Sequence, residues 1–220
     1  MQIKTERLAY WYFRLNGFLN IENFIVHQEL ENVNHITDID FLGVRFNHRK
    51  ELFNLENEHY LKDDENSDLF KYYSKSEFKG KIYVILAEVK HGEPRINNSW
   101  LENENSITNL LYALGIISLY RIKKYAMKLQ KSGYVSINRF FISIVSVGNN
   151  NQGRLIPFQN IPVISWDDIL GFIYNRVQEN RTLKRNMHEW GIDSEGRELF
   201  RLASSSQYLE EFKNNIEIIS

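Results

Sequence analysis

KIYVILAEVK, at residues 81–90, is a nearly continuous apolar run that ends in a glutamate and a lysine. Such a run is typical of a strand that is covered on both faces, as in the middle of an α/β sheet. Because side chains alternate along a strand, Glu88 and Lys90 share a face with the apolar residues 82, 84 and 86. Charged groups at the end of an apolar face are rarely buried unless they are paired or bound to a metal ion.

A second predicted strand, TDIDFLGVRF at residues 37–46, carries two more acids on one face, Asp38 and Asp40. Mg²⁺ prefers one or two carboxylates, with water and phosphate oxygens completing its coordination. If the two strands meet, Asp40 and Glu88 supply this pair, and Lys90 could orient a water molecule or stabilise charge on a phosphate. The combination therefore predicts a site for phosphodiester hydrolysis.

Other interpretations of these residues stay open from the sequence alone. An E-x-K triplet is expected about once by chance in a chain of this composition, so Glu88 and Lys90 could form an edge ion pair. Either Asp38 or Asp40 could be the ligand, and we favour Asp40 because it directly precedes the apolar run.

The remaining pattern predicts a single domain with a mixed central sheet and helices on both faces, in the order α-β-β-β-α-β-β-α-α. A capping box, Ser165 to Asp168, opens one of the helices. Residues 54–80 are polar and are expected to form a loop or solvated insert. The predicted helices are 4–16, 105–131, 167–180 and a tail over 183–215, and the further strands are 24–26, 139–147 and 161–164.

Composition excludes several classes of protein. The chain has 220 residues, no cysteine and a net charge of −1. Disulfides, zinc ribbons, iron–sulfur clusters and thiol catalysis are therefore excluded, and any nucleic-acid binding must come from a local basic patch. The charged N-terminal residues and an apolar stretch of only 110–120 predict a cytoplasmic protein with no membrane partner. The sequence contains no G-x-x-x-x-G-K-[ST], G-x-G-x-x-G, H-E-x-x-H or G-x-S-x-G motif.

Three segments, taken in order, resemble the PD-(D/E)XK nuclease superfamily. They are ERLAYWYFRLNGF from Glu6, TDIDFLGV around Asp40, and ILAEVKHG around Glu88 and Lys90. The resemblance covers roughly residues 3–180. It implies a restriction-endonuclease-like core (α-β-β-β-α-β-β-α) at 3–180, followed by a helical C-terminal extension at 183–220. No proline precedes the first acid, and the insert at 54–80 makes the separation of Asp40 from Glu88 long.

By this resemblance, Asp40 and Glu88 would bind Mg²⁺ or Mn²⁺, Lys90 would be the catalytic lysine, and Glu6 would be a further acid near the metal. The implied function is a metal-dependent nuclease acting on DNA in restriction, phage defence or repair, as a homodimer or with a partner protein that supplies specificity. The alternatives are a catalytically silent nuclease-fold subunit that acts within a partner complex, and an unrelated α/β protein.

Candidate nucleic-acid contacts come from two basic groups and one tryptophan. The first group follows the Asp40 strand and consists of Arg45, His48, Arg49 and Lys50. Trp100 could stack on a base or belong to the core. The second group could equally be a solvated helix face. Its members are Arg121, Lys123, Lys124, Lys128 and Lys131.

Overall fold

A six-stranded mixed sheet lies between two layers of helices. The computed structural model describes residues 1–27, 35–47, 51–54, 59–61, 69, 73, 75–149, 161–179 and 193–220. The strands in these ranges are β1 (Gln2–Lys4), β2 (Leu19–His27), β3 (His35–Arg45), β4 (Glu51–Asn54), β5 (His59–Leu61), β6 (Ile82–Val89), β7 (Tyr134–Ile137), β8 (Phe140–Gly148), β9 (Val163–Ser165) and β10 (Glu217–Ile219). The helices are α1 (Thr5–Leu15), α2 (Lys75–Phe78), α3 (Asn98–Glu102), α4 (Glu104–Ala113), α5 (Leu119–Ser132), α6 (Trp166–Glu179), α7 (Ser194–Ser205) and α8 (Leu209–Asn214).

Strand order in the sheet is β2-β3-β6-β8, and β7 and β9 pair with β8. The β2–β3 and β3–β6 pairs are antiparallel, whereas β6–β8 is parallel. A parallel pair needs a long crossover, and here α3, α4 and α5 lie within it. The pairing confirms the predicted mixed α/β architecture.

Alternating side chains of β6 pack into two separate hydrophobic cores, one on each face of the sheet. Tyr83, Ile85 and Ala87 belong to the first core, with apolar residues of α1, α6, α7 and α8. Val84 and Leu86 belong to the second core, with residues of α3, α4 and α5. This period-two division explains why the 81–90 run is apolar on both faces, as predicted.

The capping box that opens α6 is confirmed. Ser165 N donates to Asp168 Oδ2 at 3.1 Å, and Asp168 N donates to Ser165 Oγ at 3.0 Å. Each residue satisfies a backbone N–H of the other, so the start of this helix is determined locally.

The predicted helix over 105–131 is wrong as a single element. α4 ends at Ala113, Gly115 has φ +64°, and α5 begins at Leu119. The pattern of apolar residues does not reveal this break between α4 and α5, because both helices pack on the second core. Strand β7 was not predicted.

The polar segment 54–80 was expected to be a loop or solvated insert, and this is partly wrong. Leu69 and Tyr73 are buried in the first core. Much of the segment lies outside the described residues, as do residues 183–192 of the predicted tail.

The C-terminal segment reaches back to the N-terminus. β10 pairs with β1 in parallel, and the Met1 amino group donates to the Asn215 carbonyl at 2.8 Å. Arg7 of α1 forms salt bridges with Glu22, Asp193 and Glu195. The tail is therefore part of the packed fold through contacts between residues distant in sequence. None of the helices in the described ranges is both long and apolar enough to cross a membrane.

Candidate functional site

Asp40 and Glu88 are brought together by the antiparallel pairing of β3 and β6. The last ladder pair on this side is Phe41 with Ala87, so continuing the register by one residue sets Asp40 beside Glu88. Both acids lie at the edge of the sheet where β6 ends. The predicted meeting of the two strands is therefore present.

Lys90 links the two carboxylates. Its Nζ lies 3.0 Å from Asp40 Oδ2 and 3.0 Å from Glu88 Oε2. The backbone N–H of Val89 also donates to Asp40 Oδ2, at 2.8 Å. Asp40 therefore accepts a strand-end backbone N–H and the lysine at once, and the three charged side chains are fixed relative to one another.

Burial and charge perturb both titratable partners of Asp40. Glu88 is only 2% exposed. Its burial, together with the nearby charge of Asp40, raises the pKa of Glu88 to about 7, although Lys90 opposes this shift. Burial disfavours the Lys90 ammonium, but the Glu88 charge and hydrogen bonds to both acids outweigh it and raise the pKa of Lys90 above its ordinary value. Lys90 is therefore protonated near neutral pH, which is the range in which the Glu88 carboxyl titrates.

The donor set suits a hard divalent cation. Lys90 contacts one oxygen of each carboxylate, which leaves the other oxygen of Asp40 and of Glu88 for a metal ion. Two carboxylates with water and phosphate oxygens are a usual Mg²⁺ environment. Among the described residues, no group of three or more His, Cys, Asp or Glu side chains is arranged to hold a metal.

The other acids considered from the sequence lie differently. Asp40 makes the direct contacts to Lys90 and Val89, while Asp38 acts on Glu88 through its charge. Glu6, on α1, accepts a hydrogen bond from the Thr5 hydroxyl at 3.0 Å. Within the described ranges it makes no hydrogen bond or ion pair with Asp40, Glu88 or Lys90.

The predicted nucleic-acid contacts are scattered. Arg45 is five residues along β3 from Asp40, about 17 Å away at the rise of a strand. Lys124 is exposed on α5. Arg49 and Lys50 lie outside the described residues. The prediction that Trp100 stacks on a base is wrong, because its side chain is 0% exposed inside the second core.

The loop that follows Lys90 is held by the end of β8, a feature that sequence analysis missed. Asn149 N donates to the Gly92 carbonyl at 2.7 Å, and Ser146 Oγ donates to the Arg95 carbonyl at 3.2 Å. Gly148 lies so close that a Cβ there would be 2.7 Å from Gly92 O and 2.8 Å from Pro94 N. A glycine directly after an apolar strand was the only signal in the sequence.

We expect Gly148→Ala to displace this loop, because both neighbours are backbone atoms that cannot move away cheaply. The expected loss of stability is about 1–3 kcal/mol, measured by urea unfolding. Gly92→Ala is the matched control, since a Cβ at Gly92 has no atom within 4 Å. Equal stability of the two variants would contradict the close packing.

Comparison with known proteins gives no match for this chain, whether with family models, curated proteins or solved structures. Functional inference therefore rests on the geometry of Asp40, Glu88 and Lys90.

Proposed function

We propose that this chain is a metal-dependent nuclease of the PD-(D/E)XK type, with a restriction-endonuclease-like core, that hydrolyses phosphodiester bonds, with DNA as the expected substrate. The observation that carries the proposal is the contact of Lys90 with both Asp40 and Glu88 at 3.0 Å, at the edge where β6 ends. The resemblance in sequence and the antiparallel β3–β6 pairing support it. Restriction, phage defence or repair would be the setting.

In this proposal Asp40 and Glu88 hold the metal ion. When bound, Mg²⁺ or Mn²⁺ would polarise the scissile phosphate and lower the pKa of a bound water. Lys90, kept protonated by its two acidic neighbours, would offset the negative charge that develops on the phosphate or orient the attacking water. The Val89 N–H holds Asp40 in position.

A second candidate is a catalytically silent nuclease-fold subunit that binds nucleic acid or protein within a partner complex. The observation that favours it is that Lys90 already pairs with one oxygen of each carboxylate. In that case the three side chains form a structural ion-pair network at the strand ends.

A cleavage assay separates the two candidates. Purified protein would be incubated with supercoiled plasmid, single-stranded DNA or RNA, in Mg²⁺, Mn²⁺ or EDTA. We expect cleavage that EDTA abolishes, and we expect Asp40→Asn to lower the rate at least about 100-fold, because it removes a charged ligand and a partner of Lys90.

Asp167→Asn is the matched control. Asp167 pairs with Lys213 at 2.9 Å but is 79% exposed on α6. The Asp167→Asn variant should cleave at the same rate as the unaltered protein. Metal-dependent cleavage that survives Asp40→Asn would contradict the assignment of the site. No cleavage of any substrate with either metal would favour the silent subunit.

A further inference from the structure

α5 presents an unusually one-sided charge. Its 14 residues include no aspartate or glutamate. Its five cationic side chains are all exposed and are Arg121, Lys123, Lys124, Lys128 and Lys131. Since the whole chain carries a net charge of −1, this helix is a local concentration of positive charge. We call these five residues, with Tyr120 and Met127, the α5 basic face.

No ion pair neutralises these cations within the part of the chain that the structure describes. Some other described cations are held by acids: Arg7 by three carboxylates, and Lys90 and Lys213 by two each. Unpaired cations on one surface are available to bind phosphates, whereas paired ones first have to give up a partner. The contrast sets α5 apart from an ordinary solvated helix face laced with salt bridges.

Two apolar side chains lie among the cations. Tyr120 is 94% exposed and Met127 is 56% exposed. Positions 120, 124, 127 and 131 follow the i, i+4, i+7, i+11 spacing that puts residues on one side of a helix. An aromatic ring therefore stands in solvent in line with Lys124 and Lys131. A ring so placed can stack on a planar group.

The opposite side of α5 packs against the rest of the protein. Ile122, Ala126 and Leu129 are buried in the second core, with Val84 and Leu86 of β6. By strand alternation Glu88 shares the face of β6 that carries Val84 and Leu86. α5 thus lies on the same side of the sheet as the candidate site.

We propose that the α5 basic face binds a single strand of nucleic acid, with phosphates on the lysines and arginine and an unpaired base on Tyr120. The inference rests on the proposed function, because it names the kind of strand that the site would receive. A single strand is favoured over a duplex because only an unpaired base offers its face to a tyrosine ring. The helix is about 21 Å long.

An anionic membrane surface fits less well. Membrane-surface helices insert a broad apolar face, but the apolar face of α5 is buried in the core. Tyr120 and Met127 are too few to replace it. Charge complementarity together with a lone stacking ring therefore points to nucleic acid.

Binding is tested by fluorescence anisotropy in EDTA, so that cleavage plays no part. The probes are a labelled 20-nucleotide DNA of mixed sequence, the RNA of the same sequence, and the DNA duplex. We expect tighter binding of the single strands than of the duplex. Tyr120→Ala should weaken single-strand binding about tenfold, and Tyr120→Phe should retain it. Lys124→Ala/Lys128→Ala should lower the slope of log K against log salt by about 1.4.

Matched controls are Tyr208→Ala, an exposed tyrosine outside α5, and Lys79→Ala/Arg139→Ala, two exposed cations outside it. Both should bind like the unaltered protein. In parallel, the protein is sedimented with vesicles that contain phosphatidylserine. The proposal is overturned if Tyr120→Ala binds normally, if the duplex binds as tightly as the single strand, or if the protein binds these vesicles and none of the nucleic-acid probes. These binding tests run in EDTA and do not depend on cleavage. A protein that does not cleave could still bind the single strand, and a protein that cleaves could still fail to bind it through α5.

Discussion

Lys90→Met is expected to reduce metal-dependent cleavage by about 10²–10³-fold and to destabilise the protein at the same time. The first effect follows from losing the one ammonium that contacts both Asp40 and Glu88, since removing a single charge-stabilising donor commonly has this size. The second follows because Glu88 is only 2% exposed, so its carboxylate would be left buried without its cation. We expect a loss of about 3 kcal/mol at pH 8, at the lower end for a buried pair because Lys90 itself is 28% exposed, measured by urea unfolding.

Lys213→Met is the matched control for both effects. Lys213 is also held by two carboxylates, Asp167 at 2.9 Å and Glu210 at 3.2 Å. Those acids are 79% and 74% exposed, so water can solvate them when the lysine is removed. The control should therefore keep its cleavage activity and lose little stability. Normal cleavage by Lys90→Met would show that Lys90 is only an ion-pair partner and takes no part in cleavage. Equal destabilisation by the two variants would contradict the claim that the burial of Glu88 makes the loss of Lys90 costly.

The parts of the fold that sequence analysis predicted depend on local physics. The 81–90 run has two apolar faces because its strand lies between two cores, and such a run has few other structural solutions. The Ser165–Asp168 box needs only residues three positions apart. The meeting of Asp40 and Glu88 is a contact between distant residues. It was expected from the acids on two predicted strands and from the family resemblance, not from local physics.

The missed features depend on contacts between distant residues. Arg7 meets Asp193 and Glu195 across nearly the whole chain, and nothing near Arg7 in the sequence marks those partners. β10 has three residues and pairs with a three-residue β1, which is too short for a periodic pattern. Trp100 was ambiguous because the sequence does not show which layer covers an aromatic ring.

Glu88→Gln is expected to have the opposite effect on stability from Lys90→Met. Burial and the charge of Asp40 raise the pKa of Glu88 from 4.5 to about 7, so the folded protein resists the charged form of this side chain. Glutamine keeps the shape and polarity of the side chain without the charge. We therefore expect the metal-free variant to be more stable than the unaltered protein by about 3 kcal/mol at pH 8, while its cleavage activity is lost.

The pH dependence of this gain has a definite sign. A carboxyl whose folded pKa is raised binds its proton more tightly in the folded state than in the unfolded state, so its contribution to stability falls as pH rises from 4.5 to about 7. The difference between Glu88→Gln and the unaltered protein should be near zero at pH 4.5 and should reach its full size above pH 7. Urea unfolding in EDTA at pH 4.5, 6 and 8 measures it.

Glu198→Gln is the matched control, because the Glu198 side chain is 39% exposed and its hydrogen bond to Arg201 lowers the pKa of its carboxyl. Glutamine there should give no gain at pH 8. Added Mg²⁺ provides a further distinction, since a cation bound by Asp40 and Glu88 stabilises the folded state only where the carboxylate is present. Mg²⁺ should therefore narrow the stability gap between the unaltered protein and Glu88→Gln. Glu88→Gln could instead prove less stable than the unaltered protein at pH 8 in EDTA. That result would mean that Lys90 fully compensates the buried charge of Glu88. The three side chains would then be better explained as a structural ion-pair network than as a metal site.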